Sequence, residues 1–433
     1  FADRVPTTFA NAITHTRAGN ATMVDSDGVL KWSPHNGVSY SEQFDQWSAQ
    51  GGAVGGVTSN ATTAPNGTLT ADKIENVSGG TVDTKVVGAV LVAAKFITFK
   101  CYAKAGFSNY LMMFIGGSVI GATAGWFNLS TGTVGTTQAN VQSATMTDVG
   151  NGWYLCEITT VDASALGNAT TFNVEVSSAD GVSTADAGNF IYVWGASIYR
   201  SDLGGMVNNP DRGDSYVPTT TSAVYLPRRG HHVWNGSAWV NEGLLHESEA
   251  RTNLLTYSES LGGAGWNVGS ATVTADQIVA PDGNTTADEV NLSSGGFVYN
   301  TATVAASTAY TASWYIKAGT ATSWVYGFFN ATAGSFISRV RYNITDGEDA
   351  GNGWYRFSVS VTTPVGCTSL RVYPLRVEDA VGGVAGAIGT SYLYGVQLEL
   401  GPTPSSYIPT VGSAVTRAAD VLTIPAANLP WPA

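Results

Sequence analysis

The sequence predicts an all-β protein: two tandem antiparallel jelly-roll β-sandwich modules with short β connectors. Two observations lead to this prediction, namely a long internal duplication and a composition rich in strand and turn formers. Only 12% of the 433 residues are charged, well below the roughly 25% of an average soluble protein. Instead the chain holds 51 Gly, 12 Trp, 19 Tyr and 15 Phe. Aromatic and β-branched residues favour strands, and glycine favours turns.

The duplication is clearest in one stretch that occurs twice. It reads DVGNGWYLCEI at residues 148–158 and DAGNGWYRFSV at residues 349–359, an offset of 201 residues (349 − 148). In both copies a Gly-Asn-Gly turn, built from residues that adopt positive φ at low cost, is followed by an alternation of period two. This pattern predicts a strand that leaves a tight turn with one face toward a core. The repeat is too long for a solenoid, so it indicates two whole domains.

Further paired segments recur in the same order along both halves of the chain. They are residues 40–42 with 257–259, 65–67 with 281–283, 102–106 with 315–319, 192–196 with 392–396, and 216–219 with 407–410. The offset falls from 216 (281 − 65) to 191 (407 − 216), which indicates shared strands joined by loops of different length. The predicted divisions are N-terminal docking strands at 1–36, module 1 at 37–222, a β-hairpin linker at 223–250, module 2 at 251–418 and an extended tail at 419–433.

Charge and hydropathy argue against two classes of partner. The net charge is −12, the pI is about 4.8 and no cluster of Lys or Arg offsets it, so nucleic acid is not an expected partner. The longest apolar run, residues 86–94, is half the length of a membrane span, and no signal peptide is visible at Phe1. We therefore expect no membrane insertion. The three cysteines, Cys101, Cys156 and Cys367, have neither metal spacing nor a disulfide pattern.

One short segment resembles the beginning of a calcium loop. Asp25 and Asp27 precede Gly28 in an Asp-x-Asp-Gly sequence, but the remaining ligands of an EF-hand are missing. We therefore expect an ordinary turn and no cofactor, and Asp25 and Asp27 are the only calcium candidates.

Five motifs of module 2 are familiar as a set. They are EARTNLL at 249–255, DAGNGW at 349–354, GVQLE at 395–399, PSSYIPT at 404–410 and TRAAD at 416–420. As a set they resemble carbohydrate-binding-module-like jelly-roll domains of tailed-bacteriophage virion proteins, namely tail fibres, spikes and head fibres. The pattern covers module 2 almost fully and module 1 more loosely. Module 1 has Ser197 in place of Gln397, so a family site could survive in only one copy.

The resemblance implies a virion surface protein of the fibre or spike type. Its expected partners are other virion proteins and host surface polysaccharide, and its expected state is a homo-oligomer, with a trimer favoured. Two alternatives stay open. One is a passive structural or decoration protein that binds no glycan, and the other is a polysaccharide-degrading spike.

Candidate glycan-binding residues recur in both modules. Each module places a Tyr and a Lys two residues apart on the polar side of a strand, and a Trp on the mixed face of the strand after the Gly-Asn-Gly turn. Rings that stack on sugar C–H groups beside hydrogen-bond donors suit glycans. The predicted site is Tyr315, Lys317, Trp354 and Arg356, with a related, degraded site at Tyr102, Lys104 and Trp153. The alternative is that these aromatic residues pack sheet against sheet or fill a domain interface.

Catalytic patterns are not recognisable in the sequence. The recurring carboxylates Asp148 and Asp349 precede Gly-Asn-Gly turns, where Asp has an ordinary turn role, and no pair resembles that of a glycosidase. No nucleophile elbow, HExxH motif or phosphate loop is present. We therefore expect no enzymatic activity, although an active site formed between chains would escape this reasoning.

Overall fold

The computed structural model describes residues 9–50, 55–80, 83–91, 95–117, 123–161, 169–378 and 385–426. The chain forms two compact units. Unit A is Pro34–Tyr225, and unit B combines Phe1–Ser33 with Leu226–Ala433. Of the N-terminal connector that the sequence predicted at residues 1–36, the described residues 9–33 group with unit B.

Strands make up nearly all the regular structure of the described residues. The chain begins with a short helix, α1 (Phe9–Ala12), and with β1 (Thr14–Thr16), β2 (Thr22–Val24), β3 (Leu30–Trp32) and β4 (His35–Asn36). The strands that follow in unit A are β5 (Ser48–Gln50), β6 (Gly55–Thr62), β7 (Ala71–Asn76), β8 (Asp83–Leu91), β9 (Ile97–Ala105), β10 (Tyr110–Gly117), β11 (Ala124–Asn128), β12 (Thr133–Thr137), β13 (Val141–Gly150), β14 (Trp153–Thr160), β15 (Ala169–Ser177), β16 (Phe190–Arg200) and β17 (Val224–Tyr225).

The strands of unit B after residue 226 are β18 (Arg228–Trp234), β19 (Trp239–Leu245), β20 (Arg251–Asn253), β21 (Trp266–Val279), β22 (Thr285–Thr303), β23 (Ala309–Ala318), β24 (Ser323–Asn330), β25 (Ser335–Asn343), β26 (Glu348–Asp349), β27 (Tyr355–Thr362), β28 (Ser369–Arg376), β29 (Gly389–Leu400), β30 (Val415–Arg417) and β31 (Val421–Thr423). Single 3₁₀ turns occur at Phe44–Gln46 and Ile344–Asp346. No helix of the described chain has the length and apolar character needed to cross a membrane.

Unit A is a sandwich of two antiparallel six-stranded sheets. Their strand orders are β12-β11-β10-β15-β8-β5 and β13-β14-β9-β16-β7-β6. The period-two pattern of β9 decides which face is buried, because Phe99, Cys101 and Ala103 are all fully buried in one core cluster with residues of both sheets. The predicted apolar face of this strand is confirmed, and so is the all-β sandwich fold.

Unit B reaches the same architecture with one folded sheet of nine strands. Its order is β25-β24-β28-β22-β29-β23-β27-β26, with β21 also paired to β22. The long strand β22 joins the two layers, because its first part pairs with β29 and its last part pairs with β28. Gly296 lies where β22 turns, and a Cβ there would come within 2.8 Å of the Ser270 carbonyl oxygen. Only glycine fits this bend, and one core cluster fills the space between the layers.

A buried asparagine ties the strands of each unit together. In unit B the Asn253 amide donates to the carbonyl oxygens of Val396 (3.3 Å) and Ile408 (2.9 Å) and accepts from the N–H groups of Leu255 and Leu398, both at 3.1 Å. In unit A the amide of Asn36 makes the four corresponding bonds, with Ala196, Val217, Val38 and Ile198. One side chain therefore satisfies four backbone groups from three separate segments.

A buried carboxylate repeats in the same manner. Asp72 accepts from the N–H groups of Phe44 (2.8 Å) and Asn60 (2.9 Å). Asp288 accepts from those of Leu261 (2.7 Å) and Asp276 (3.1 Å). The duplication read from the sequence therefore extends to the hydrogen bonds that hold the loops.

The terminal segments of unit B meet at a buried ion network. Strand β1 pairs with β31, and the hairpin of β18 and β19 supplies Arg228. Asp420 accepts from Arg17 (2.8 Å), from Arg228 (2.5 Å) and from the N–H of Glu247 (2.9 Å). Glu247 in turn pairs with Arg228 at 2.6 Å and Arg417 at 3.2 Å. Burial alone would raise the pKa of Asp420, but bonds with His15 and Arg17 and the charge of Arg228 hold it well below its ordinary value.

We predict that Asn253→Ala lowers the free energy of unfolding by at least about 2 kcal/mol, because it leaves four buried backbone groups without their partner. Urea denaturation followed by tryptophan fluorescence measures the change. Asn267→Ala, at an exposed position of β21, is the matched control. A loss no larger than that of the control would contradict the role given to the amide.

We also predict that Asp420→Asn lowers the free energy of unfolding by about 3–5 kcal/mol at pH 7, because it leaves buried arginine charge uncompensated. The pKa of Asp420 is depressed in the folded state. The contribution of Asp420 to the free energy of unfolding is therefore complete above its pKa in the unfolded chain, about 4. This contribution is lost as the pH falls toward the lower pKa of the folded state.

The measurement is urea denaturation of the wild type and Asp420→Asn between pH 3 and pH 7. The wild type should lose stability below about pH 4, and the variant should lose less over the same range. Asp27→Asn, at an exposed turn residue, serves as the control. Parallel pH curves for the wild type and Asp420→Asn would refute this assignment.

Candidate glycan-binding faces

The predicted tyrosine site lies on the outer face of the layer formed by β22, β29, β23 and β27. Tyr315 stands opposite Arg356 and Tyr394 on the neighbouring strands, and the Arg356 guanidinium lies 5.5 Å from the Tyr315 ring centre. Gly395, at φ 63°, makes room for the Tyr315 ring and for Tyr407, since a Cβ there would lie 3.2 Å from each. The structure thus brings Tyr315 and Arg356 together, as the sequence predicted.

A connecting segment covers this outer face. Arg356 donates to the Ser405 carbonyl at 2.6 Å, and the Tyr407 ring packs edge-on against Tyr315. Tyr407 also bonds to Ser258 (2.7 Å) and Glu259 (3.1 Å), so this segment is anchored from both sides. Tyr315 consequently retains only 7% exposure. Burial raises the pKa of Tyr407, and the nearby Glu259 raises it further.

The two predicted tryptophans are packing residues. Trp354 is 2% exposed and Trp153 is 1% exposed. Each indole N–H donates at 3.1 Å to a backbone carbonyl, that of Val279 for Trp354 and that of Thr63 for Trp153. Stacking on a sugar needs an exposed ring face, and neither tryptophan has one. The sequence placed both rings on a mixed strand face but could not detect the segments that cover it.

The two predicted lysines hold the repeated turns. Lys317 donates to the Asn352 carbonyl at 2.7 Å, and Lys104 donates to the Asn151 carbonyl at 2.9 Å. Both asparagines lie in the left-handed region, at φ 54° and 55°. Tyr102, the remaining predicted residue, is half-buried and packs against Trp194 at 5.3 Å. The recurrence of Tyr-x-Lys in both modules is therefore accounted for by the turn and by the packing around it.

The calcium candidates form a turn. Asp25 pairs with Lys31 at 2.7 Å and accepts from the N–H groups of Asp27 and Val29, both at 2.9 Å. Asp27 is exposed. Within the described ranges, no group of three or more His, Cys, Asp or Glu residues is arranged to hold a metal ion.

A different surface of unit B gathers exposed rings and arginines. It is the outer face of the layer formed by β22, β28, β24 and β25, and we call it the arginine–aromatic face. Its members are Phe297, Tyr299, Phe329, Phe336, Arg339, Arg371, Tyr373 and Arg376. Phe297, Tyr299, Phe329 and Phe336 are partly exposed, whereas Tyr373 and Arg376 form the buried floor.

Guanidinium groups and rings alternate across this face. Arg371 lies 4.8 Å from the ring centre of Tyr299 and 5.1 Å from that of Phe329. Arg376 lies 4.7 Å from Phe336 and 4.8 Å from Tyr373. Arg339 contacts Phe336 from the neighbouring strand, also at 4.7 Å. These distances are those of cation–π contacts, which hold the arginines flat against the rings.

Two glycines shape the arginine–aromatic face. A Cβ at Gly269 would lie 2.3 Å from the Phe297 ring, so that ring lies flat over the glycine of the neighbouring strand. A Cβ at Gly327 would lie 3.2 Å from Phe336 and 3.5 Å from the Arg376 side chain. Rings placed over strand glycines stabilise a sheet.

The sequence contained part of the signal for this face. Arg371 and Tyr373 alternate with buried Leu370 and Val372, and Phe297 and Tyr299 alternate across buried Val298. Such alternation identifies residues that share a face of one strand. Only the pairing of β22 with β28, and of β28 with β24, brings these two sets together with Phe329.

The corresponding layer of unit A differs in chemistry. The sequences of its strands contain no arginine. Met112, Phe114 and Trp126 form a cluster there, and the Trp126 indole donates to the Val182 carbonyl at 2.7 Å. The nearby Glu175 accepts a bond from Asn173 at 3.1 Å. The arginine–aromatic arrangement therefore belongs to unit B.

Comparisons with known proteins yield distant structural similarities. No protein-family model and no curated protein sequence matches the chain. A tandem CBM22 domain of Paenibacillus barcinonensis Xyn10C aligns over 89% of this chain and 100% of its own, with 12% identity and a TM-score of 0.29. The enzymatically active domain of tailspike protein 4 from bacteriophage CBA120 aligns over 34% of this chain, with 16% identity and a TM-score of 0.25.

The ANXUR2 extracellular domain of Arabidopsis thaliana aligns over 93% of this chain and 100% of its own, with 10% identity and a TM-score of 0.22. The aligned part of this chain spans about a fifth (21%) of the tailspike domain. All three TM-scores are below 0.5. The assignment to jelly-roll sandwiches therefore rests on the sheet order and the cores described above.

We predict that Trp354→Ala lowers the free energy of unfolding by about 3–5 kcal/mol, as expected for a buried aromatic residue. Trp354→Phe keeps most of the buried volume and should lose less, because it forfeits mainly the indole hydrogen bond. Thermal and urea denaturation of both variants test this. An unchanged unfolding transition in Trp354→Ala would show that the ring does not pack as described.

Proposed function

We propose that the protein is a bacteriophage virion surface protein of the fibre or spike type that attaches to host surface glycan through the arginine–aromatic face of unit B. The virion role is supported by the set of motifs in module 2. The carbohydrate role is supported by the geometry of the arginine–aromatic face, and carbohydrate-binding modules occur among the distant structural neighbours.

The observation that carries this proposal is a set of partly exposed rings, Phe297, Tyr299, Phe329 and Phe336, in contact with guanidinium donors. Phe297 and Tyr299 lie nearly parallel, at 5.8 Å and an angle of 30°, and Tyr299 lies 4.7 Å from Tyr373. A sugar ring presents apolar C–H patches to such aromatic faces and hydroxyl groups to donors at their edges. The outer face that carries Tyr315 is partly covered by residues 404–408, and Tyr315 itself is buried.

In this proposal the protein has no catalytic role. Its partners are other virion proteins and the host polysaccharide, and it works as a homo-oligomer, with a trimer favoured. Individual sugar contacts are weak, so several copies on one particle raise the overall avidity by orders of magnitude. A homo-oligomer would thus compensate for the low affinity of a single site per chain.

The test is binding of the purified chain to an array of bacterial surface polysaccharides. We predict that Tyr299→Ala and Phe336→Ala weaken binding to whichever glycan the wild type recognises. Loss of one stacked ring costs roughly 1–3 kcal/mol by analogy with base stacking, which is about 5- to 150-fold in affinity. Phe107→Ala removes a ring that is 75% exposed in unit A and should leave binding unchanged.

Thermal melts of each variant accompany the binding data. Lost binding with a retained melting temperature supports the site, whereas equal binding by wild type and both ring variants excludes it. No binding by the wild type to any glycan would favour a passive structural protein. Release of shortened oligosaccharides would instead identify a polysaccharide-degrading spike.

A further inference from the structure

Within the part of the chain that the structure describes, two arginines of the arginine–aromatic face, Arg339 and Arg371, lack the ion pair that many other arginines form. Across the described chain, arginines commonly form ion pairs with carboxylates: Arg17 with Asp420, Arg200 with Asp202, Arg212 with Asp214, Arg228 with Glu247, Arg251 with Glu249 and Arg417 with Glu247. Arg339 and Arg371 have no carboxylate partner among the described residues. Glu378 pairs with Arg376 and is the one described acid that pairs with an arginine of this face.

The guanidinium groups are also crowded. Arg339 and Arg376 contact the same Phe336 ring, each at 4.7 Å. Burial lowers the pKa of Arg376; Glu378 and Tyr373 oppose this, whereas the neighbouring charge of Arg339 lowers the pKa further. Like charges held this close repel each other, and they do so more strongly where water is excluded. A bound anion would relieve that repulsion.

Buried donors on this face stay unused. Arg376 is 3% exposed, and the Nε–H groups of Arg376 and Arg339 have no hydrogen-bond partner among the described residues. A buried guanidinium donor without an acceptor costs free energy, so such groups are normally satisfied. Carboxylates are the side groups that best match the planar donor pattern of arginine.

The surplus of positive charge is local. The whole chain carries a net charge of −12, which repels a polyanion at long range. Counted over the residues that the structure describes, three arginines and one glutamate on this sheet face reverse that sign over a small area. An acidic ligand is therefore recognised at short range, through direct contacts rather than through steering.

We propose that the arginine–aromatic face recognises an acidic polysaccharide, in which sugar rings stack on Tyr299 and Phe336 while carboxylate groups of the sugar bind Arg371 and Arg339. This inference rests on the proposed glycan binding and specifies its chemical class. The carboxylates replace the missing acceptors and separate the crowded guanidinium groups. Neutral glycans would stack on the aromatic rings, but they would leave the arginine N–H donors without a charged acceptor.

The experiment uses immobilised bacterial polysaccharides that contain uronic acids, each beside its carboxyl-reduced form, which has the same backbone without the charge. Wild-type binding should be at least about tenfold weaker on the reduced form, a difference of 1.4 kcal/mol. Arg371→Gln and Arg339→Gln should weaken binding to the native acidic form by a similar factor. Both should bind the reduced form as the wild type does.

Arg212→Gln is the matched control, since Arg212 lies in unit A and pairs with Asp214 at 3.1 Å. It should bind all forms as the wild type does, and thermal melts verify that each variant folds. Carboxyl reduction requires no substitution, so the inference stays testable even if one arginine variant fails to fold.

The possible results separate the inference from the function on which it rests. Equal wild-type binding to native and reduced forms, or strongest binding to neutral polysaccharides, would overturn the acidic class while glycan binding stands. Wild-type binding to neither form, nor to any neutral polysaccharide, would overturn both. Loss on carboxyl reduction together with loss in Arg371→Gln and Arg339→Gln, but not in Arg212→Gln, supports the proposal.

Discussion

The fold of each unit depends on one buried amide. Asn253 and Asn36 each satisfy two backbone carbonyls and two backbone N–H groups that come from different segments. Because a buried backbone group without a partner is costly, these segments can approach one another only where such a side chain stands between them. The amide thereby fixes the segment after β29 in unit B, and the segment after β16 in unit A, against the outer face of a sheet.

The position of that segment decides which surfaces are available for binding. Residues 404–408 lie over the outer face that carries Tyr315 and Arg356, and Tyr407 is buried there. Aromatic residues on this side of the sandwich therefore form a second small core, as Trp153, Trp194 and Tyr216 do in unit A. In the other layer of unit B, Phe297, Tyr299, Phe329 and Phe336 stay partly exposed, and the proposed glycan-binding face lies there.

The arginines of unit B have different surroundings at two places. At Asp420, three arginines and one histidine surround two carboxylates, and the network joins strands β1, β18 and β30 with the segment before β31. Each of these arginines is paired with a carboxylate, so the network is a structural element. On the arginine–aromatic face, Arg376 is paired with Glu378, whereas the half-buried Arg339 and Arg371 have no carboxylate partner among the described residues. It is these two unpaired arginines that the proposed acidic ligand would contact.

The sequence by itself determined the all-β class, the internal duplication, the Gly-Asn-Gly turns and the buried side of β9, because period-two alternation and turn residues are local properties of the chain. It also found Tyr315 and Arg356 as neighbours. Only the tertiary structure decided that Trp354 is covered and that Arg371, Tyr299 and Phe336 share an open face. Strand alternation identifies the residues on one side of a strand, but the partner strands and the covering segments are set by register and by contacts between residues far apart in the chain.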